Sequence, residues 1–267
     1  GVASIHRIRR HRAGKIADGG VSEGGCNAMD LPLKQLGIII AAGGSSRRFG
    51  GDKLLELLDG LPVFCHCIRA FVQLPGGPRM VVVVSPAHLA AYRDAVECHL
   101  PAASGRLEWV EGGGSRLESV RNGFNCLMDA DPARRPGVVA VHDAARPYAD
   151  AGMVLSCLEA MDGRHLDGCI MSRELTETIH RYDAGSELLA AAGARSSFRV
   201  AETPQLFRSA VLARAYAQCG VMDGGSAIPT DEAGLVMRLD GVRIGAVSAS
   251  RPNPKITYRH DLVSKSM

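Results

Sequence analysis

The run Gly37-Ile38-Ile39-Ile40-Ala41-Ala42, closed by two glycines, constrains this chain more than any other stretch, because it offers water no polar face. Such a run fits a strand buried on both faces, as in a parallel sheet covered by helices from either side. Two more of the kind follow, Met80-Val81-Val82-Val83-Val84-Ser85 and Gly137-Val138-Val139-Ala140-Val141-His142. Helix-like patterns over 63–72 and 115–128 lie between them, and Pro75-Gly76-Gly77-Pro78 breaks the chain before the second run. Further strands are expected at 107–110, 167–172 and 242–247. Alternation of strand and helix makes right-handed parallel crossovers the cheapest topology, so the expected class is α/β, a doubly wound and mostly parallel sheet.

The 267 residues, 46% of them apolar, suffice for one large core. Residues 1–33 hold a basic stretch, His6 to Arg12, and then a Gly-rich polar tract without helical period or apolar centre. They read as a flexible N-terminal extension, leaving 34–267 as the folded domain. Between Arg173 and Gln205 the strand–helix rhythm fails over a length too great for an ordinary connection, which marks a functional segment or a protruding arm. No apolar run approaches the roughly 20 residues needed to cross a bilayer. A net charge of +3 is too small to call for a nucleic-acid or membrane surface, and neither partner is expected. Eight cysteines without a C-x-x-C pair read as reduced thiols of a cytoplasmic protein. Cys65-His66-Cys67 reads as a structural cluster within a helix.

The chemistry-bearing words sit where these strands end. Ala41-Ala42-Gly43-Gly44-Ser45-Ser46-Arg47-Arg48-Phe49-Gly50-Gly51-Asp52-Lys53 follows the first strand directly. Small residues let backbone N–H groups approach phosphate oxygens, and the cations beyond supply charge where a transferring phosphoryl group turns more anionic. The loop matches neither a Walker A motif nor G-x-G-x-x-G. Asp143, in His142-Asp143-Ala144-Ala145-Arg146-Pro147, stands at the carboxyl edge of its strand, where open α/β folds bind ligands. A carboxylate there suits Mg²⁺ or a ribose hydroxyl; standing alone it would read as a helix cap. His142 reads as a packed strand residue. In Gly112-Gly113-Gly114-Ser115-Arg116-Leu117-Glu118-Ser119-Val120, Ser115 and Glu118 fit a capping box, while the glycines leave room for a planar base against backbone.

Together with Thr203-Pro204-Gln205, Thr230 to Ala233 and Lys255-Ile256-Thr257, these words resemble the 2-C-methyl-D-erythritol 4-phosphate cytidylyltransferase family, in that family's order and over residues 36 to about 263. The resemblance implies a Rossmann-like core, CTP as co-substrate, Mg²⁺, and a homodimer built through an exchanged arm at about 173–205. It implies that Arg48 and Lys53 stabilise the pentavalent phosphorus and that Ala41, Ala42, Gly43 and Gly44 form the nucleotide cradle. Gly113 and Ser119 would contact the cytosine, and Asp143 the ribose and metal. Arg195, Thr178 and Lys255, with Arg146 and Thr203, would hold the acceptor, Arg195 and Lys255 as phosphate clamps and Arg195 from the partner subunit. Arg47 competes with Arg48 for one role, since the first loop is one residue longer than usual. Glu177-Thr178-Ile179-His180 and Thr257-Tyr258-Arg259-His260-Asp261 depart from the family's wording, which leaves a ribitol 5-phosphate or related polyol phosphate acceptor as the rival. A non-catalytic nucleotide-binding protein is the rival of another class.

Overall fold

The computed structural model describes residues 35–44, 49–129, 131–219, 229–249 and 251–262; the expected extension at 1–33 lies outside them. The elements are β1 (Leu36–Ala41), β2 (Leu57–Leu58), β3 (Leu61–Pro62), α1 (Val63–Phe71), β4 (Arg79–Val84), α2 (Leu89–His99), α3 (Pro101–Ser104), β5 (Leu107–Glu111) and α4 (Arg116–Met128). There follow β6 (Val138–Asp143), α5 (Ala151–Gly163), β7 (Gly168–Glu174), β8 (His180–Asp183), β9 (Leu188–Ala191), β10 (Arg199–Arg208), α6 (Ser209–Cys219), α7 (Glu232–Val236) and β11 (Ile244–Ser248). Among the described residues the main sheet has seven strands in the order β11-β7-β10-β6-β1-β4-β5. Every pairing is parallel except those of β10, which runs antiparallel to both β6 and β7. The doubly wound, mostly parallel sheet expected from the sequence is therefore what forms.

Successive residues of β1 serve opposite layers. Ile38 and Ile40 pack into one core with Phe64, Phe71 and Val154, whereas Ile39 packs into the other with Val120, Phe124 and Leu212. All three isoleucines are fully buried, and each such side chain contributes about 1.5–3 kcal/mol. Gly123 lets α4 lie close on the sheet, since a Cβ there would stand 2.8 Å from Val83 and 2.9 Å from Ile39.

The stretch from Arg173 to Gln205 divides differently from the expected arm. Residues 180–191 do form a separate hairpin, β8 against β9, and all eight of its strand residues are exposed. From Arg199 onward, however, the chain returns as β10 into the middle of the sheet. Its register shifts between Ala201 and Gln205, which gives Pro204 a place where no ladder N–H is required. Thr203 and Gln205 are thus buried core residues of the domain, not of the arm.

Candidate active site

Chain order turns at β1: β4 and β5 are laid on one side of it, and β6 on the other. Ligands of open α/β sheets bind beyond the strand ends at such a switch. Ala41 and Asp143 are register partners across β1 and β6, so the Gly-rich loop and the carboxylate leave the sheet side by side. A hollow of about 350 Å³ opens there. Ala41, Gly43, Gly44 and Lys53 form one wall; Gly113, Gly114, Arg116 and Ser119 another; Asp143, Ala145 and Lys255 complete it.

Asp143 is the electrostatic centre. One carboxylate oxygen accepts from Arg116 Nη2 at 3.1 Å and the other from Lys255 Nζ at 2.8 Å. Burial pushes its carboxyl upward, but Arg116 and Lys255 outweigh burial and hold it well below the usual carboxylate range. Arg116 reaches with Nη1 to both oxygens of Glu232, at 3.0 and 2.9 Å. Glu232 has no exposed surface, and burial raises its carboxyl even against Arg116. One guanidinium fork thus ties two carboxylates, from the end of β6 and the first turn of α7, to the start of α4. Lys53 donates to the carbonyl of Ile256 at 2.8 Å, which brings the far end of the phosphate-loop word against the segment that bears Lys255.

The glycine loop before α4 caps the helix as the sequence implies, with one change. Ser115 caps α4 by accepting from Glu118 N at 3.1 Å, but the Glu118 carboxylate reaches the N–H of Gly114, at 2.8 Å, one residue before the cap. A Cβ at Gly113 would stand 2.3 Å from Glu118 Cγ, so a side chain there would force the Glu118 carboxylate away from Gly114. Ser119 Oγ accepts from Gly113 N at 3.0 Å and donates to Ser115 O at 2.8 Å. The two residues expected at the cytosine are therefore joined to each other on the wall of the hollow.

The remaining sequence-selected residues lie as follows. Arg48, with Arg47, falls outside the described residues. Ala42 is buried and donates to the carbonyl of Val83 at 2.8 Å, bracing the loop's root without lining the hollow. Arg146 turns away from the hollow to the carbonyl of Asn253, 2.7 Å from Nη1. Thr203, expected at the acceptor, is 3% exposed, and its hydroxyl meets the backbone N–H of Asp143 and the ring of His142. Thr178 and Arg195 are exposed at the arm, where Arg195 Nη1 donates to Thr176 O at 2.9 Å; neither lines this chain's hollow. Arg116, Glu232 and Asn253 were not singled out as site residues. Arg116 did leave a signal, a cation in the first turn of a helix, where the macrodipole disfavours it unless carboxylates hold it.

Comparison with known proteins identifies the family of the chain. The family profile of 2-C-methyl-D-erythritol 4-phosphate cytidylyltransferase matches residues 36–267. The enzyme of that name from Chromobacterium violaceum is 34% identical over 226 residues, 84% of this chain and 93% of the relative. A crystal structure of 4-diphosphocytidyl-2C-methyl-D-erythritol synthase superposes with a TM-score of 0.62 at 30% identity, covering 85% of this chain and 93% of the other. A synthase of the same description from Anaerococcus prevotii DSM 20548 superposes with a TM-score of 0.71 over 87% of this chain and 95% of its own, at 20% identity, a likeness of fold alone. With the profile spanning the whole described domain and the strand-end words in register with one another, this chain belongs to the 2-C-methyl-D-erythritol 4-phosphate cytidylyltransferase family.

Proposed function

We propose that this chain transfers CMP from CTP to 2-C-methyl-D-erythritol 4-phosphate, giving 4-diphosphocytidyl-2-C-methyl-D-erythritol and pyrophosphate in non-mevalonate isoprenoid biosynthesis. The observation that supports it most is Asp143, held between Arg116 and Lys255 beside a glycine loop that ends in Lys53. An oxygen of the acceptor's phosphate attacks the α-phosphorus of CTP in line, and the bond to the bridging β-oxygen breaks as pyrophosphate leaves. A phosphate monoester is already largely dianionic at neutral pH, its second pKa being about 6, so no general base is needed. Catalysis rests on position and on cations, Lys53 and Arg48 at the transferring phosphorus and Lys255 toward the acceptor.

Among the described residues no three metal-ligating side chains cluster, and Asp143 is the single carboxylate lining the hollow. That donor set fits Mg²⁺, which is usually held by one or two carboxylates together with substrate phosphates. Bound there, the ion would screen the triphosphate's charge. Asp143 would release Lys255 to meet it, which leaves that ammonium available to the acceptor.

The hairpin supports a homodimer. Tyr182, 58% exposed, lies across from Leu189, 66% exposed, on one face of the hairpin, and Leu188, also 66% exposed, on the other, apolar surface that a second copy of the chain would cover. Arg195 and Thr178 on this arm would then serve the partner's hollow. The free thiols among the described cysteines accord with a cytoplasmic setting. Pyrophosphate release from CTP, measured with methylerythritol phosphate and with ribitol 5-phosphate, tests the assignment. Turnover with ribitol phosphate alone would overturn the acceptor, and CTP binding without release would overturn catalysis.

A further inference from the structure

We propose that His142 and Thr203 form an uncharged positioning relay that sets the Asp143–Arg146 turn, and with it the Asp143 carboxylate, for nucleotidyl transfer. The proposal rests on the function proposed above only for the consequence in catalysis; the relay itself follows from hydrogen-bond accounting.

The turn that aims Asp143 is built from backbone groups with named partners. Ala144 N–H donates to Ala41 O at 3.1 Å, Arg146 N–H to Asp143 O at 3.0 Å, and Ala145 O accepts from Ile256 N at 2.8 Å. At its first residue, Asp143 N–H lies 3.1 Å from Thr203 Oγ1. At its last, Arg146 O lies 3.1 Å from His142 Nε2. Between these ends, Thr203 Oγ1 and His142 Nδ1 are 3.1 Å apart.

His142 has no exposed surface, which disfavours a charged ring, and for the neutral ring only one proton assignment satisfies all three contacts. A backbone N–H donates and never accepts, so Thr203 Oγ1 accepts from Asp143. Its single hydroxyl proton is then directed to Nδ1, which must be bare. A carbonyl can only accept, so Nε2 bears the ring's hydrogen and donates to Arg146 O. The direction runs from Asp143 N–H through the threonine hydroxyl and the imidazole to the carbonyl three residues further on, and it closes a loop around the turn. A protonated ring would reverse the middle bond, Nδ1–H donating to the second lone pair of the hydroxyl, and the relay would no longer run in one direction.

Packing holds the relay still. His142 has no exposed surface and meets the Phe71 ring edge-on, with centroids 5.0 Å apart. Thr203 is anchored from its other side, its carbonyl accepting from Asn253 Nδ2 at 2.7 Å. Asn253, 1% exposed, begins the segment that bears Lys255, so the same threonine relates both members of the Asp143–Lys255 pair. His142 does not itself line the hollow and acts through its neighbour Asp143, as a positioning residue should.

The test joins a spectroscopic signature to a pair of substitutions. In the full-length enzyme at neutral pH, without nucleotide or metal, the long-range ¹H–¹⁵N spectrum of the imidazoles is expected to show His142 as a single Nε2–H tautomer. Thr203→Val keeps the branched shape and removes the hydroxyl, and Thr203→Ser keeps the hydroxyl. With rates corrected for folded fraction by circular dichroism, Thr203→Val is expected to lower kcat by roughly 10- to 100-fold, the scale of a small misplacement of a catalytic group. Thr203→Ser should recover to within about threefold of the parent, since it restores the acceptor and donor that the relay needs. An Nδ1–H tautomer or a mixture of the two in the parent protein overturns the relay. So does a Thr203→Val enzyme with undiminished kcat, or a Thr203→Ser enzyme as slow as Thr203→Val. Should Thr203→Val not fold, or the chain prove inactive with every acceptor, the tautomer of the parent protein still decides the matter.

Discussion

Lys53 and Asp143 face the same hollow with different demands on charge. In the proposed reaction the ammonium of Lys53 would gain most where the α-phosphoryl group expands, because only interactions stronger in the transition state raise kcat. Lys53→Ala is therefore expected to lower kcat by about 10²–10³-fold, the usual loss for one electrostatic donor, while CTP affinity by direct titration changes far less. Equal losses in both would place Lys53 in ground-state binding. Glu232 shows the structural side of the site. Its buried carboxylate holds Arg116 bidentately, and Glu232→Ala leaves that arginine half-matched beside Asp143. A loss of about 3 kcal/mol is expected from urea unfolding, the low end for breaking a buried pair, because Arg116 keeps Asp143 as partner. Arg116→Ala in the same chain should return part of it, since no uncompensated guanidinium then remains.

At the scale of elements, the β8–β9 hairpin is the one whose own sequence explains it least within a single chain. Four-residue strands with Leu188, Leu189 and Tyr182 in water do not support an isolated hairpin. For the proposed homodimer, Leu189→Asp is expected to shift sedimentation toward monomer with little change in the domain's melting temperature, because no core residue of the domain is touched. Retention of the dimer would assign the interface elsewhere. A mixture of Lys53→Ala and Arg195→Ala chains should regain up to about a quarter of the parent activity, as random pairing gives half heterodimers with one intact site each. Proven heterodimers without activity would keep Arg195 in its own subunit's site. The buried parallel strands were legible because, with both faces covered, each reads as a continuous apolar run. By contrast β10 was not, since Glu202, Pro204 and Gln205 in its middle deny it both alternation and an apolar run, and its place is set by partners distant in sequence. Gln205 Nε2 donates to Asp231 at 2.8 Å and its carbonyl oxygen accepts from Ala233 N at 3.1 Å. Thr203-Pro204-Gln205 and Thr230 to Ala233 are separate words in the sequence and one interlock in the fold.

Over the whole molecule, the sequence words that follow strands did point to Gly43, Lys53 and Asp143, which the fold brings to one hollow, whereas residues that serve another residue from within the core, as Glu232 serves Arg116, carried no such word. The second group leaves its mark on stability. Burial pushes the His142 imidazole down to about 4, and burial likewise lowers that of His66, which lies beside the carbonyl of Leu58. As pH falls through the ordinary imidazole value the unfolded chain binds more protons than the folded one, so stability rises with pH across that window and falls on acidification. For His142, fully buried, the complete effect is on the order of 3 kcal/mol. Glu232 acts with the opposite sign: its folded carboxyl titrates above its unfolded one, so its contribution declines as pH rises through that interval. Asp143, held low by Arg116 and Lys255 despite burial, adds stability that is lost only below the ordinary carboxylate range. In chelator-containing buffer the urea midpoint is therefore expected to fall from pH 6.5 to pH 5, and Glu232→Gln should make the fall steeper by removing the opposing titration. A midpoint that rises over the same interval would mean that the buried carboxyl, not the imidazoles, governs the acid limb of this fold.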